Sequence, residues 1–183
     1  MAKEYSEDLL IQKSTAELLE KELGWQSVYA YDSEVLGEQG TLGRKAQSEV
    51  VLTRHLRMAL KRLNTWMTDK QMTEAIERMT SYMSSQTLMQ INEEKYQYLR
   101  DGVPVTRLKP NGETEQVRAR VIDFVNVDNN EFIAVRELWI KGPIHKRRAD
   151  VVCFVNGLPL IFIELKNHDQ DIQNAYTDNY RDY

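Results

Sequence analysis

Two apolar runs, Val151–Val155 and Leu158–Leu165, are separated only by Asn156-Gly157, and this pair constrains the fold more than any other feature. A strand with one solvated face alternates polar and apolar residues, so continuous apolar runs belong to strands covered on both faces. Asn-Gly between them is a strong hairpin signal. The segment therefore predicts a central hairpin in a covered sheet. Three charged residues, Asp150, Glu164 and Lys166, sit on or beside these runs. Burying them is costly unless they are paired or bind a metal. Two adjacent carboxylates repel, and one takes up a proton unless a cation lies between them. A site made of oxygen donors suits Mg²⁺, or Mn²⁺ in its place, better than Zn²⁺.

A shared site carries a geometric condition. Side chains alternate along a strand, so Glu164 and Lys166 share a face. A two-residue loop would pair Val155 with Leu158, set Ala149 opposite Glu164 and turn Asp150 to the other face. A common site therefore predicts a three-residue loop with Gly157 in the left-handed conformation, which shifts the register by one. Asp150 and Glu164 would then bind the metal, with the Leu165 carbonyl as a third oxygen. Lys166 would place positive charge beside a scissile phosphate. The sequence offers no side-chain nucleophile, having neither a Cys–His pairing nor a serine elbow.

The chain up to about residue 100 reads as helical. Residues 6–24 carry Ser6 as N-cap and Gly24 as stop, residues 46–63 have a leucine stripe, and residues 69–84 place Met72, Ile76, Met79 and Met83 at helical spacing. The methionines read as core filling. Gly37, Gly40 and Gly43 mark a loop. From about residue 101 the chain is sheet-rich, with strands expected at 103–108, 116–125 and 131–140, then the hairpin, then a helix over 169–183. Asp123 falls in the second strand and is expected to face solvent. Helices followed by strands and a closing helix imply an α/β or α+β domain, a mixed sheet flanked by helices.

A length of 183 residues suits one domain. Nothing approaches the length of a membrane span or a signal peptide. The single cysteine, Cys153, forms no internal disulfide and reads as a core residue in a reducing, cytoplasmic setting. His55, His145 and His168 lack metal-ligand spacing. The net charge of -4 does not suggest a nucleic-acid binder, but residues 141–148 carry four positive charges and no negative one. Lys146, Arg147 and Arg148 lead into the strand bearing Asp150, where cations would neutralise a DNA backbone without reading its sequence.

Asp150, thirteen intervening residues and Glu164-Leu165-Lys166 resemble the PD-(D/E)xK nuclease motif. The longer text from Val151 to Asn167 is similar to the nuclease segment of type I restriction R subunits. So are Val121–Asn126, Asn129–Val135, Gly43-Arg44 with Glu49–Leu52, and Leu60–Asn64. The resemblance covers the chain from about Glu7 onward. It implies a restriction-endonuclease-like core with the acidic and lysine residues on its central hairpin, and a Mg²⁺-dependent endonuclease acting on double-stranded DNA. It also implies methylation and specificity subunits as partners, and an ATP-driven motor further along the same polypeptide. Without a P-loop here, ATP would serve only those absent motor domains, and residues 1–183 read as a single nuclease domain truncated from a longer chain. A glutamate of the first helix often completes such sites; Glu7 fits best and Glu17 is its rival.

Two departures stand out. Ala149 replaces the proline before the aspartate. Gln173 is followed by Thr177 at the distance where a tyrosine is common, although Tyr176, Asp178, Tyr180 and Tyr183 lie nearby. Two other readings stay open: a nuclease-like fold used only for docking or DNA binding, and a repair or recombination nuclease with the same core.

Overall fold

A computed structural model describes the backbone of residues 7–109 and 111–165, with side chains from Gln12 onward. The chain divides into two compact units. The first combines residues 1–35, 132–154 and 159–183; the second comprises residues 36–131 and the hairpin tip Val155–Leu158.

The first unit holds helix α1 (Glu7–Leu23) and strands β1 (Gln26–Tyr29), β4 (Phe132–Lys141), β5 (Lys146–Val155) and β6 (Leu158–Ile163) in the order β1-β4-β5-β6. β1 runs parallel to β4, from Gln26 opposite Ile133 to Tyr29 opposite Arg136. The β4–β5 connection is a tight turn closed by Gly142 N–H donating to the His145 carbonyl at 2.8 Å. A connection this short permits only antiparallel neighbours, so the sheet is mixed. Ala134, Val151 and Cys153 form a buried cluster against Leu19, Trp25 and Ile163. Burial pushes the Cys153 thiol pKa upward, consistent with a core residue.

The second unit holds helices α2 (Thr53–Leu63), α3 (Asp69–Thr80) and α4 (Leu88–Asp101) with the hairpin of β2 (Val103–Leu108) and β3 (Thr114–Ala119). α2 packs on α3, and α3 and α4 pack on β2. Leu56, Ala59, Leu60 and Leu63 form the buried stripe of α2, and Met72, Ile76 and Met79 that of α3. Both α3 and α4 start with capping boxes, Thr68 with Gln71 and Thr87 with Gln90. Each box satisfies two otherwise orphaned backbone donors.

Several expected boundaries move. α2 begins at Thr53 rather than near 46, because the buried Arg44 guanidinium collects the carbonyls of Gln47 and Glu49 and holds that stretch as turns. α3 stops at Thr80, leaving Met83 70% exposed instead of in the core. The strand expected over 116–125 stops at Ala119. Beyond it, Asp123 is buried rather than solvent-facing, accepting the Val125 and Asn126 N–H groups and the Asn129 side-chain amide. Those donors, the Asn126 N–H foremost, hold its carboxyl below the ordinary range. α4 and β1 were not anticipated at all. The expected helix over 169–183 and His168 lie outside the described residues. No described helix is long and apolar enough to cross a membrane.

Candidate active site on the β5–β6 hairpin

The hairpin tip is a two-residue turn. Asn156 and Gly157 form it with φ of 52° and 80°, the pair of left-handed residues that a type I′ turn requires. The expected three-residue loop is therefore corrected. Contacts within the second unit explain the tighter turn. The Asn156 side chain is fully buried and uses its whole hydrogen-bonding capacity. Its Nδ2 donates to the Val121 carbonyl and Asn130 Oδ1, both at 2.8 Å. Its Oδ1 accepts from Arg62 at 3.0 Å and Glu131 N–H at 2.8 Å. The Gly157 carbonyl accepts from Leu52 N–H at 2.8 Å, and a Cβ at residue 157 would overlap the Leu52 carbonyl oxygen.

β6 also ends earlier than the apolar run suggests. It stops at Ile163, so Glu164 and Leu165 lie past the strand and the alternation rule does not fix their faces. The half-buried Asp150, on β5, still reaches this segment, since its Oδ2 accepts the Leu165 N–H at 2.7 Å. Its other oxygen accepts from Gln12 Nε2 of α1 at 3.1 Å. The Leu165 N–H thus ties the segment that follows β6 to the Asp150 carboxylate. Glu164 is half-buried. Lys166 and the helix residues 173–183 lie outside the described residues.

Of the two expected α1 acids, only the Glu17 side chain is described, and its partners lie on its own helix. Glu17 pairs with Lys13 at 3.7 Å and Lys21 at 3.4 Å along the helix surface. Glu7 opens α1, and its side chain is not among those described. The described α1 residue at the site is Gln12, which is only 4% exposed and whose buried Oε1 has no hydrogen-bond partner among the described residues. Among the described residues no group of three or more His, Cys, Asp or Glu side chains could hold a metal ion. What the described residues bring together is the Asp150 carboxylate and the Gln12 amide, oxygen-bearing groups of the kind a hard divalent cation takes.

The basic cluster belongs to β5 rather than to a loop. Lys146 lies over the Trp139 ring at 4.1 Å. Arg148 lies 4.9 Å from the Tyr31 ring centre and 5.7 Å from that of Trp139. Its Nε bonds Glu137 at 2.6 Å. Arg147 is half-buried. Glu137 escaped the sequence reading: it is 5% exposed and has φ of 58° within β4. A left-handed non-glycine inside a strand is uncommon. Its signal was the lone acid of the strand Phe132–Lys141, between Arg136 and Leu138 in a mostly apolar run.

His55, in the second unit, bonds Glu131 at 2.8 Å, and this bond is the main reason the Glu131 carboxyl titrates below its ordinary 4.5. A depressed folded pKa adds stability that is complete above the ordinary value and is lost as pH falls through the folded one. Glu131→Gln should therefore flatten the loss of stability below about pH 4.5 in urea titrations. An unchanged acid slope would count against this pair as a source of acid sensitivity.

A mixed sheet with a helix packed on it and an acid on its hairpin places the chain in the restriction-endonuclease-like class of α/β folds. The family model for the type I restriction enzyme R protein N terminus matches residues 4–183, and the chain belongs to that family. It is 33% identical over 178 residues to the type I restriction enzyme HindI endonuclease subunit of Haemophilus influenzae, a match covering 94% of this chain and 16% of that protein. It is 26% identical over 183 residues to a putative type I restriction enzyme MjaIXP endonuclease subunit of Methanocaldococcus jannaschii, covering 97% of this chain and 17% of that one. The chain thus spans about a sixth of the length of these relatives.

Proposed function

We propose that this chain is a Mg²⁺-dependent endonuclease domain that hydrolyses phosphodiesters of double-stranded DNA within a type I restriction complex. The observation that carries this reading is the Asp150 carboxylate, held against the Glu164-Leu165 backbone by the Leu165 N–H at 2.7 Å. Membership of the R protein family supports it. Asp150 and Glu164 would hold the cation, with the Leu165 carbonyl as a further oxygen. When bound, a divalent cation supplies Lewis acidity toward a phosphate oxygen. Lys166 would set positive charge against the scissile phosphate. Lys146, Arg147 and Arg148 would meet the DNA backbone, with Arg148 held in place by Glu137. Recognition of a particular sequence would fall to a specificity subunit, since nothing in this chain resembles a base-reading module. ATP would be needed by motor domains further along the polypeptide.

Calorimetric Mn²⁺ titration of the chain beside Glu164→Ala tests this. Binding should be present in the natural chain and lost, or weakened by at least about tenfold, in the variant. Equal binding in both, or binding in neither, would favour a nuclease-like fold used for docking.

A further inference from the structure

The α1 residue beside Asp150 is a buried amide with an idle oxygen. Gln12 is 4% exposed; its Nε2 donates to Asp150 Oδ1 at 3.1 Å, and its Oε1 has no partner among the described residues. A buried carbonyl oxygen without a donor is costly and calls for an explanation. Structural support of Asp150 accounts for the nitrogen of this amide and leaves its oxygen unexplained. A hard cation explains both atoms: with none bound, the amide donates to the carboxylate, and with one bound, amide and carboxylate oxygens are both available to it.

We infer that Gln12 is the α1 ligand of the divalent-cation site, supplying a neutral oxygen beside the Asp150 carboxylate. This rests on the metal-dependent reading above and deepens it. It puts Gln12 in the role for which Glu7 and Glu17 were the sequence candidates. Its consequence concerns affinity. Ligand charge count tunes the affinity of hard-cation sites. An amide in place of a carboxylate gives the site one negative charge fewer, so it binds the cation more weakly and spares Asp150 a like-charged neighbour when no cation is bound.

The test is Mn²⁺ titration calorimetry of the chain and three variants, each checked by thermal melting. Gln12→Glu should bind about tenfold more tightly. It should also release more protons on binding, read from the heats in two buffers of different ionisation enthalpy, because a cation displaces the proton shared by adjacent carboxylates. Gln12→Met keeps the length and removes the oxygen; it should bind about tenfold more weakly with a near-native melting temperature. Asp150→Asn separates the two readings. If it binds Mn²⁺ as well as the natural chain does, the metal site itself is wrong. If it loses binding while Gln12→Glu is no tighter than natural and Gln12→Met is no weaker, the metal site stands and the ligand role of Gln12 falls. Should Gln12→Glu fail to fold, Gln12→Met decides alone.

Discussion

Asp150→Asn, in a restriction complex assembled with an R subunit that contains this chain, is expected to lower the DNA cleavage rate by on the order of a thousandfold or more. The substitution is nearly isosteric. The amide oxygen of the variant could still accept the Leu165 N–H, which Asp150 accepts at 2.7 Å, so the hairpin should keep its shape. The loss is one of charge: an amide neither neutralises a divalent cation nor holds one as tightly as a carboxylate does. DNA binding by the complex should change little, because on the proposed reading Lys146, Arg147 and Arg148, not Asp150, would meet the phosphates. Gel-based cleavage time courses at saturating Mg²⁺, beside a binding assay at the same salt, measure both. Cleavage within about threefold of the natural complex would remove Asp150 from the chemistry.

The second large effect is structural. Gly157→Ala should destabilise the fold by roughly 3 kcal/mol or more in denaturant titrations. Two penalties combine. A φ of 80° is a left-handed conformation that an alanine adopts at a cost of about 1–2 kcal/mol. The new methyl group would also overlap the Leu52 carbonyl oxygen, a main-chain atom that cannot swing aside. Retreat of that backbone would stretch the 2.8 Å hydrogen bond from Leu52 N–H to the Gly157 carbonyl. A loss under about 1 kcal/mol would show that the turn relaxes more readily than its burial suggests.

The hairpin itself was legible because continuous apolar runs around Asn-Gly admit few alternatives, but the expected cover on both strands holds for β5 alone: β6 is the edge strand of the order β1-β4-β5-β6, with Leu160, Ile161 and Phe162 exposed. The leucine and methionine stripes of α2 and α3 showed through their spacing. The misses have physical causes. α4 has little apolar stripe to detect: Leu88 and Met89 are 81% and 80% exposed, so only the capping box at Thr87 and Gln90 could have marked it. β1, with four residues, is too short for a periodic signal. The end of β6 was misjudged because hydrophobicity continues through Leu165 while the strand stops at Ile163. The loop size was misjudged by reasoning backward from a shared face; the buried Asn156 network selects the tighter turn instead. Gln12 carries no signal of its own in the sequence, since an uncharged amide within a helix reads as an ordinary surface residue. Its burial beside Asp150 depends on a contact across 138 positions of chain, which local pattern cannot show.

That separation also governs timing. Residues 36–131 of the second unit form one uninterrupted stretch, whereas the first unit joins segments from either side of it. β1 has no parallel partner until β4 has been made, and Gln12 has no Asp150 until later still. Pairing so distant must first overcome loop-closure entropy, a cost reduced when the intervening stretch has already become compact. During synthesis on the ribosome, the middle of the chain can therefore condense first, and the acidic centre is among the last features to assemble. In a growing polypeptide, Gln12 and Asp150 could meet only after the β5–β6 hairpin has left the exit tunnel.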